Sequence, residues 1–268
     1  MNAFGDIRQD STISEEAATT LTPQDLQPGL LIKISDPIPY PEAWALQQRL
    51  HTARLWGGSP DVLLLLEHRP VYTMGRRTES AHLGVGETAL RQTGSMVQAV
   101  NRGGSITYHG PGQLVGYPIL ELSRYASGPK AYVRMLEEVL IGTLDLWGIE
   151  GYRVNKNPGV WVRCDRGEAK IASIGVRVDQ GITLHGFALN VDLDLEPFSL
   201  ITPCGIAQCQ TTSLAELCHA SVSLRLVAEQ VAEVFSALFT ISWTRPSDEM
   251  MRADPVGPRL PCFDRKEA

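Results

Sequence analysis

Strand-like runs crowd the middle of this chain, and helical patterns lie between and after them. Val62–Leu66 is a short apolar run bounded by Pro60 and Pro70, the pattern of a buried strand. Met96–Arg102 and Gln113–Leu122 read as strands around a glycine-rich loop, and three more runs follow at 159–164, 170–178 and 182–191. A helix suits 41–56, where Pro41 is tolerated in the first turn. Helical spacing marks 131–147, where Tyr132, Val133, Leu136, Val139, Leu140, Leu144 and Trp147 recur and Gly148 closes the segment. A last helix sets Leu224, Val227, Val231, Val234, Phe235 and Leu238 along one stripe. This order predicts an α+β fold, a mixed β-sheet with packed helices.

With 268 residues, surface scaling lets the chain bury roughly 73% of the surface of its extended form, enough for a large core without staples. Hydrophobic residues make up 43% and charged residues 20%, which excludes disorder throughout, collagen and coiled coil. The net charge of −6 argues against a generic nucleic-acid or anionic-membrane binder. No apolar stretch approaches the roughly 18 residues of a membrane helix. Residues 1–29 are polar and acidic, and read as a disordered tail. Residues 246–268, rich in Pro and charge, read as an irregular C-terminal tail, which leaves 30–245 as one domain. The cysteines at 164, 204, 209, 218 and 262 are odd in number, and the N-terminus lacks the basic and apolar regions of a signal peptide. Free thiols in a cytoplasmic protein are the expectation.

Three segments carry chemistry. Arg102-Gly103-Gly104-Ser105-Ile106-Thr107-Tyr108-His109-Gly110-Pro111-Gly112-Gln113 is dense in glycine. Such a segment either brings backbone close to a ligand or is an ordinary connection needing left-handed residues. It matches neither nucleotide-binding glycine pattern. Lys170, in Ala169-Lys170-Ile171-Ala172-Ser173-Ile174-Gly175-Val176, shares strand parity with Ala172, Ile174, Val176 and Val178, the more apolar face. A lysine aimed inward needs a partner, whereas one at a strand end reaches water along its stem. Cys204 lies between Pro203 and Gly205, in a turn whose N–H groups can favour thiolate, although a lone Cys is commonly inert packing and Cys209 and Cys218 compete. The spacing of Cys204, Cys209, Cys218 and His219 matches no standard zinc pattern, so no metal is expected. His109 and His185 are open between structural and substrate-touching roles.

The segments RGGSITYHGPGQLVGY (102–117), NPGVWV (157–162), KIASIGVRV (170–178), LHGFALNVDLDL (184–195) and TPCGI (202–206) occur in the order of one known family. Together they resemble the lipoyl(octanoyl) transferases of lipoate biosynthesis, over most of 40–220. The resemblance implies the fold of the biotin/lipoate protein ligase superfamily, with 30–245 as a catalytic acyltransferase domain. It implies transfer of an octanoyl group from acyl carrier protein to a lysine of lipoyl domains, those of 2-oxo-acid dehydrogenase complexes and the glycine cleavage H protein. By the same resemblance Cys204 is the nucleophile and Lys170 the essential lysine. The substrate pocket maps to Arg102, Gly103, Gly104, Ser105, Ile106, Thr107, Tyr108 and His109, to Ser173, Ile174 and Gly175, and to Gly186, Phe187 and Ala188. A monomer without cofactors is implied, since an activated acyl donor needs no ATP.

The chemistry agrees with this reading. A thiol with pKa about 8.5 is about 3% thiolate at pH 7, and a nearby ammonium such as Lys170 raises that fraction. Backbone N–H groups near Cys204 or Gly103–Gly104 are candidates to hold the oxyanion. Phe187 and Ile174 are expected walls of the acyl slot, in which each buried methylene contributes about 0.8 kcal/mol. Carrier and lipoyl partners are generally acidic, so Arg76 and Arg77 are a candidate docking patch within the acidic chain. Two other readings compete: an ATP-dependent lipoate or biotin ligase, against which TPCGI argues, and a non-catalytic acyl- or carrier-binding protein, against which the Cys204–Lys170 pair argues.

Overall fold

A computed structural model describes residues 26–206 and 209–246. Its strands are β1 (Gln27–Lys33), β2 (Asp61–Leu66), β3 (Val71–Met74), β4 (Met96–Ala99), β5 (Ile106–His109), β6 (Gln113–Ile119), β7 (Tyr152–Val154), β8 (Asn157–Cys164), β9 (Gly167–Asp179), β10 (Ile182–Asn190) and β11 (Ile241–Thr244). Its α-helices are α1 (Tyr40–Leu55), α2 (Glu87–Gln92), α3 (Pro129–Asp145), α4 (Glu196–Ser199), α5 (Leu214–Cys218) and α6 (Leu224–Phe239). The architecture is the expected α+β: an eight-stranded mixed sheet in the order β11-β1-β2-β6-β10-β9-β8-β7, and a second sheet β4-β3-β5. Among the described residues, no helix is long and apolar enough to cross a membrane.

The large sheet carries two different faces. Helices α3 and α6 bury one of them with Leu136, Val139, Leu140, Val231 and Phe235. Proline in the first turn starts α3, and Ser223 Oγ caps α6 by accepting from Leu226 N–H. The buried stripe of α6 is Val227, Ala228, Val231, Ala232, Phe235 and Phe239. Leu238, expected on that stripe, is exposed, because Phe239 takes the inner position four residues after Phe235 and stacks on it at 4.0 Å. On the other face α1 lays Ala43 and Leu46 against Leu64, Val115 and Tyr117. Gly116 marks the crossing: a Cβ there would overlap the Phe187 ring on the α3/α6 side.

Two boundaries differ from the sequence reading. The polar tail was expected to reach residue 29, yet Gln27, Pro28 and Gly29 belong to β1 and pair in parallel with Ile241, Ser242 and Trp243. Gly29 is the reason a turn-like triplet serves as strand: a Cβ there would overlap Ile241 and Trp243, so its bare backbone admits their side chains. Residues 1–25 and 247–268, the rest of both expected tails, lie outside the described residues, as does Cys262. The glycine-rich "loop" is not all loop either. Ile106–His109 form β5, antiparallel to β3, a four-residue strand too short for its alternation to stand out between glycines.

Candidate active site

Cys204 sits in a turn of 3-10 helix, Pro203–Gly205, with φ of +58°. A cysteine in the left-handed region is strained unless its surroundings hold it there, a condition often met at reactive centres. The turn is fastened by Gly205 N–H donating to Thr202 O and Ile206 N–H to Pro203 O. His82 packs its ring against Gly205, its carbonyl accepts from Thr202 N–H, and its Nδ1 lies 2.8 Å from Ser105 Oγ. The thiol loop is therefore tied to the glycine-rich segment.

Lys170 is 3% exposed, and its ammonium donates to Pro158 O at 2.8 Å and to Cys204 Sγ at 3.4 Å. Ser173 Oγ lies 3.8 Å from the same sulfur. The route by which Lys170 arrives is not the one that simple alternation predicts. Trp161 faces Lys170 across β8–β9 while Val160 faces Ala172, so Ile171 is an extra residue, a β-bulge. The bulge moves Lys170 to the face of Ser173 and Gly175 and away from that of Ala172, Ile174, Val176 and Val178. Gly159 leaves room for its stem, since a Cβ there would press on Lys170 Cε, and the ammonium stands 5.3 Å from the Trp161 ring centroid.

A cavity between the two sheets opens beside the sulfur. Tyr40, Arg102, Gly104, Ser105, Thr107, His109, Val115, Tyr117, Ser173, Ile174, Gly175, His185, Gly186, Phe187, Ala188 and Cys204 line it. Arg102 is buried, and its guanidinium donates to Gly103 O, Ser105 O, Thr73 O and Thr73 Oγ1. Burial pushes its pKa below the ordinary value, against which Cys204 favours the charged form. From Thr73 a chain of hydrogen bonds runs through His109, Gln113 and Asn190 to Thr212 O, and Thr212 N–H donates to Lys170 O. One network thus fixes both the guanidinium and the strand that carries the lysine. The cavity histidines are neutral: burial holds His109 well below its usual range and His185 down to about 3.

Residues 39–236 match the family model of the lipoyl protein ligase A/B catalytic domain. The chain is 49% identical to the octanoyltransferase of Thermobifida fusca, over 68% of this chain and 76% of that one. It is 46% identical to the octanoyltransferase of Syntrophotalea carbinolica, over 75% and 90%. The chain belongs to this family, among its octanoyltransferases. Its fold is also that of a bipartite lipoate protein ligase from Thermoplasma acidophilum, with a TM-score of 0.63 at 17% identity over 84% of this chain and 89% of that one. A lipoate-protein ligase A bound with ATP gives 0.63 at 18% identity, over 83% and 91%.

In this octanoyltransferase the structure brings together Cys204, Lys170, Arg102, Gly104, Ser105, Thr107, His109, Ser173, Ile174, Gly175, Gly186, Phe187 and Ala188. It does not bring Ile106 or Tyr108 to the cavity. Alternation along β5 sends them the other way, into a cluster with Tyr72, Phe198 and Ile201. Gly103 stands behind the lining, with its N–H committed to Val176 O. Ile174 and Phe187, the expected walls, pair across β9–β10 and line the cavity, while they also pack with the α3/α6 core. The N–H groups of Gly103 and Gly205 are already bonded, so neither is a free oxyanion donor. Tyr40 and Thr73 stand outside the quoted motifs, and Tyr117 and Asn190 stand inside them with no role that the sequence assigns. Gln113 stands in the quoted motif, and its invisible part was the pairing with His109.

Cys209, the competing thiol, is pushed up to about 11 by burial and then by the neighbouring Cys204, so it stays protonated at neutral pH. Arg76 and Arg77 are exposed, and their N–H groups donate to Arg102 O and Gly104 O at the rim of the cavity. Arg91 is instead tied to Glu87.

Proposed function

We propose that this octanoyltransferase takes an octanoyl group from acyl carrier protein, holds it on Cys204 as a thioester, and passes it to a lysine of a lipoyl domain. The Lys170 Nζ to Cys204 Sγ distance of 3.4 Å carries the proposal. The thiolate attacks the carrier's thioester carbon, and the carrier sulfur leaves with the proton of the Lys170 ammonium. The acceptor amine then attacks the acyl-enzyme and returns a proton to Lys170, while Cys204 leaves as thiolate. Proton and acyl group balance over the cycle, and no nucleotide is consumed. Arg76 and Arg77, at the rim, receive the acidic carrier.

The test is peptide mass spectrometry after mixing with octanoyl carrier protein. A hydroxylamine-labile octanoyl mass on Cys204, absent in Cys204→Ser, is expected; the same mass on Cys209, or on no cysteine, overturns the mechanism. In that assay Arg76→Glu with Arg77→Glu slows loading from the carrier but not from an octanoyl thioester of a small thiol. Equal slowing with both donors removes the docking role.

A further inference from the structure

His185 interrupts β10 with φ of +58°. It shares odd numbering with Thr183 and Phe187, yet its imidazole turns to the α1 face. There it stacks on Trp44, with ring centroids 4.9 Å apart and planes 7° apart. Its Nε2–H donates to Asn101 Oδ1 at 2.7 Å, its Nδ1 accepts from Tyr40 O–H at 3.4 Å, and its backbone N–H is held by Gln47 Oε1. Three residues of α1 and Asn101 therefore fix His185, ring and backbone, in a conformation that glycine or asparagine adopts more readily.

Behind this ring lies a second space of about 370 Å³, lined by Tyr40, Pro41, Trp44, Gln98, Ala99, Val100, Asn101 and His185. Tyr40 and His185 are the two residues that line both it and the cavity beside Cys204. His185 pairs with Val176, three residues along β9 from Ser173 at the sulfur, which is about 10 Å at the rise of a strand. That distance is comparable with an extended eight-carbon chain. Ile174 and Phe187 line the cavity beside Ser173, and the Tyr40–His185 pair, shared by both spaces, closes the slot at this end. A cavity of about 150 Å³ holds a benzene molecule, and the space behind the partition has room for a further run of methylenes.

We infer that His185, braced by Trp44 and Asn101, is the end stop that sets acyl-chain length, and that the cleft behind it is a latent site for the tail of longer saturated chains. The inference rests on the proposed acyl-enzyme at Cys204 and adds to it the residue that measures the chain. A neutral ring suits that role, because an alkyl terminus packs against it without stripping water from a charge.

The test uses the full chain and carrier-protein thioesters of eight, ten, twelve and fourteen carbons, read as acyl mass on Cys204 over time. In His185→Gly the residue suits the left-handed backbone and the ring is gone. The ratio of twelve-carbon to eight-carbon loading is expected to rise about tenfold or more, the discrimination that one or a few methylenes supply. Adding Ala99→Trp fills the cleft and reverses the gain, which general loosening of the fold would not allow. Trp44→Ala with Asn101→Ala removes the braces instead and gives the same direction should His185→Gly not fold. An unchanged ratio in folded His185→Gly, or a gain that Ala99→Trp leaves intact, overturns the inference. No acyl mass on Cys204 with any donor in the unaltered chain defeats the acyl-enzyme reading instead.

Discussion

The two faces of the large sheet use the same strands for opposite purposes. Toward α3 and α6 the strands present Leu63, Leu65, Leu114, Ile171, Phe187 and Leu189, and the helices fill the space between them. Toward α1 and the small sheet the same strands present Gly175, Gly186, Ser173 and Tyr117 around a cavity, with buried Arg102, His68 and His109 beside it. The first face gains stability by excluding water from apolar surface. The second is apolar under α1 but gives up packing around the cavity, where the network from Arg102 through Thr73, His109, Gln113 and Asn190 satisfies its own polar groups. Chemistry is confined to one side of the sheet, while apolar packing is found on both.

The separation can be broken from either side. The largest effect is expected at Lys170→Met, which leaves the fold intact while octanoyl transfer falls about 10³-fold, or about 4 kcal/mol of barrier. Iodoacetamide should also label Cys204 more slowly in this variant at fixed neutral pH. Unchanged transfer and labelling would make the lysine a packing residue. On the opposite face Leu136→Ala, at a fully buried position, should lower stability by about 3 kcal/mol. A urea midpoint measures that loss, and loading of Cys204 in the folded fraction should stay at the parental rate. A selective loss of loading would show the faces to be coupled.

A smaller effect comes from pH. His68 donates from Nδ1 to Ile38 O and accepts from Tyr117 O–H at Nε2, and burial lowers it to about 4. Its folded value is below the unfolded 6.5, so the unfolded chain binds the proton first. Its contribution is intact above pH 6.5 and is lost as pH falls toward 4. At pH 5 the loss is about 2 kcal/mol for this group. His68→Gln should flatten the fall in urea midpoint between pH 7 and pH 5; an equal fall in the variant would assign the acid sensitivity elsewhere.

Most of the apolar face was legible in the sequence, because helical stripes and buried runs repeat with a period. The α6 stripe still erred at Leu238, where Phe239 was free to take its place. The polar face was legible in its residues and less so in its geometry. Cys204, Lys170 and the glycine-rich segment stand out by composition, but a period of two assigned Lys170 to the wrong face. One bulged residue, Ile171, reverses the count, and nothing in Ala169–Ala172 announces it. Ile174 and Phe187, the expected walls, do line the cavity, and their packing with the α3/α6 core is a second contact that the motifs do not announce. His185 departs from alternation through a single left-handed residue that no pattern of hydrophobicity encodes.

The pairing of β1 with β11 joins Gln27 to Ile241 across 214 positions of sequence. A contact that distant forms late, since a long loop must close before the pair contributes anything. On the ribosome, β1 can dock on β2 early, but its other edge stays open until nearly the whole domain has been made. Until then Gly29 faces solvent where Trp243 will later sit, and an unpaired edge is a template for other chains. β11, the last strand among the described residues, thus covers the edge of β1, and stalled or prematurely ended chains would expose the edge through which aggregation begins.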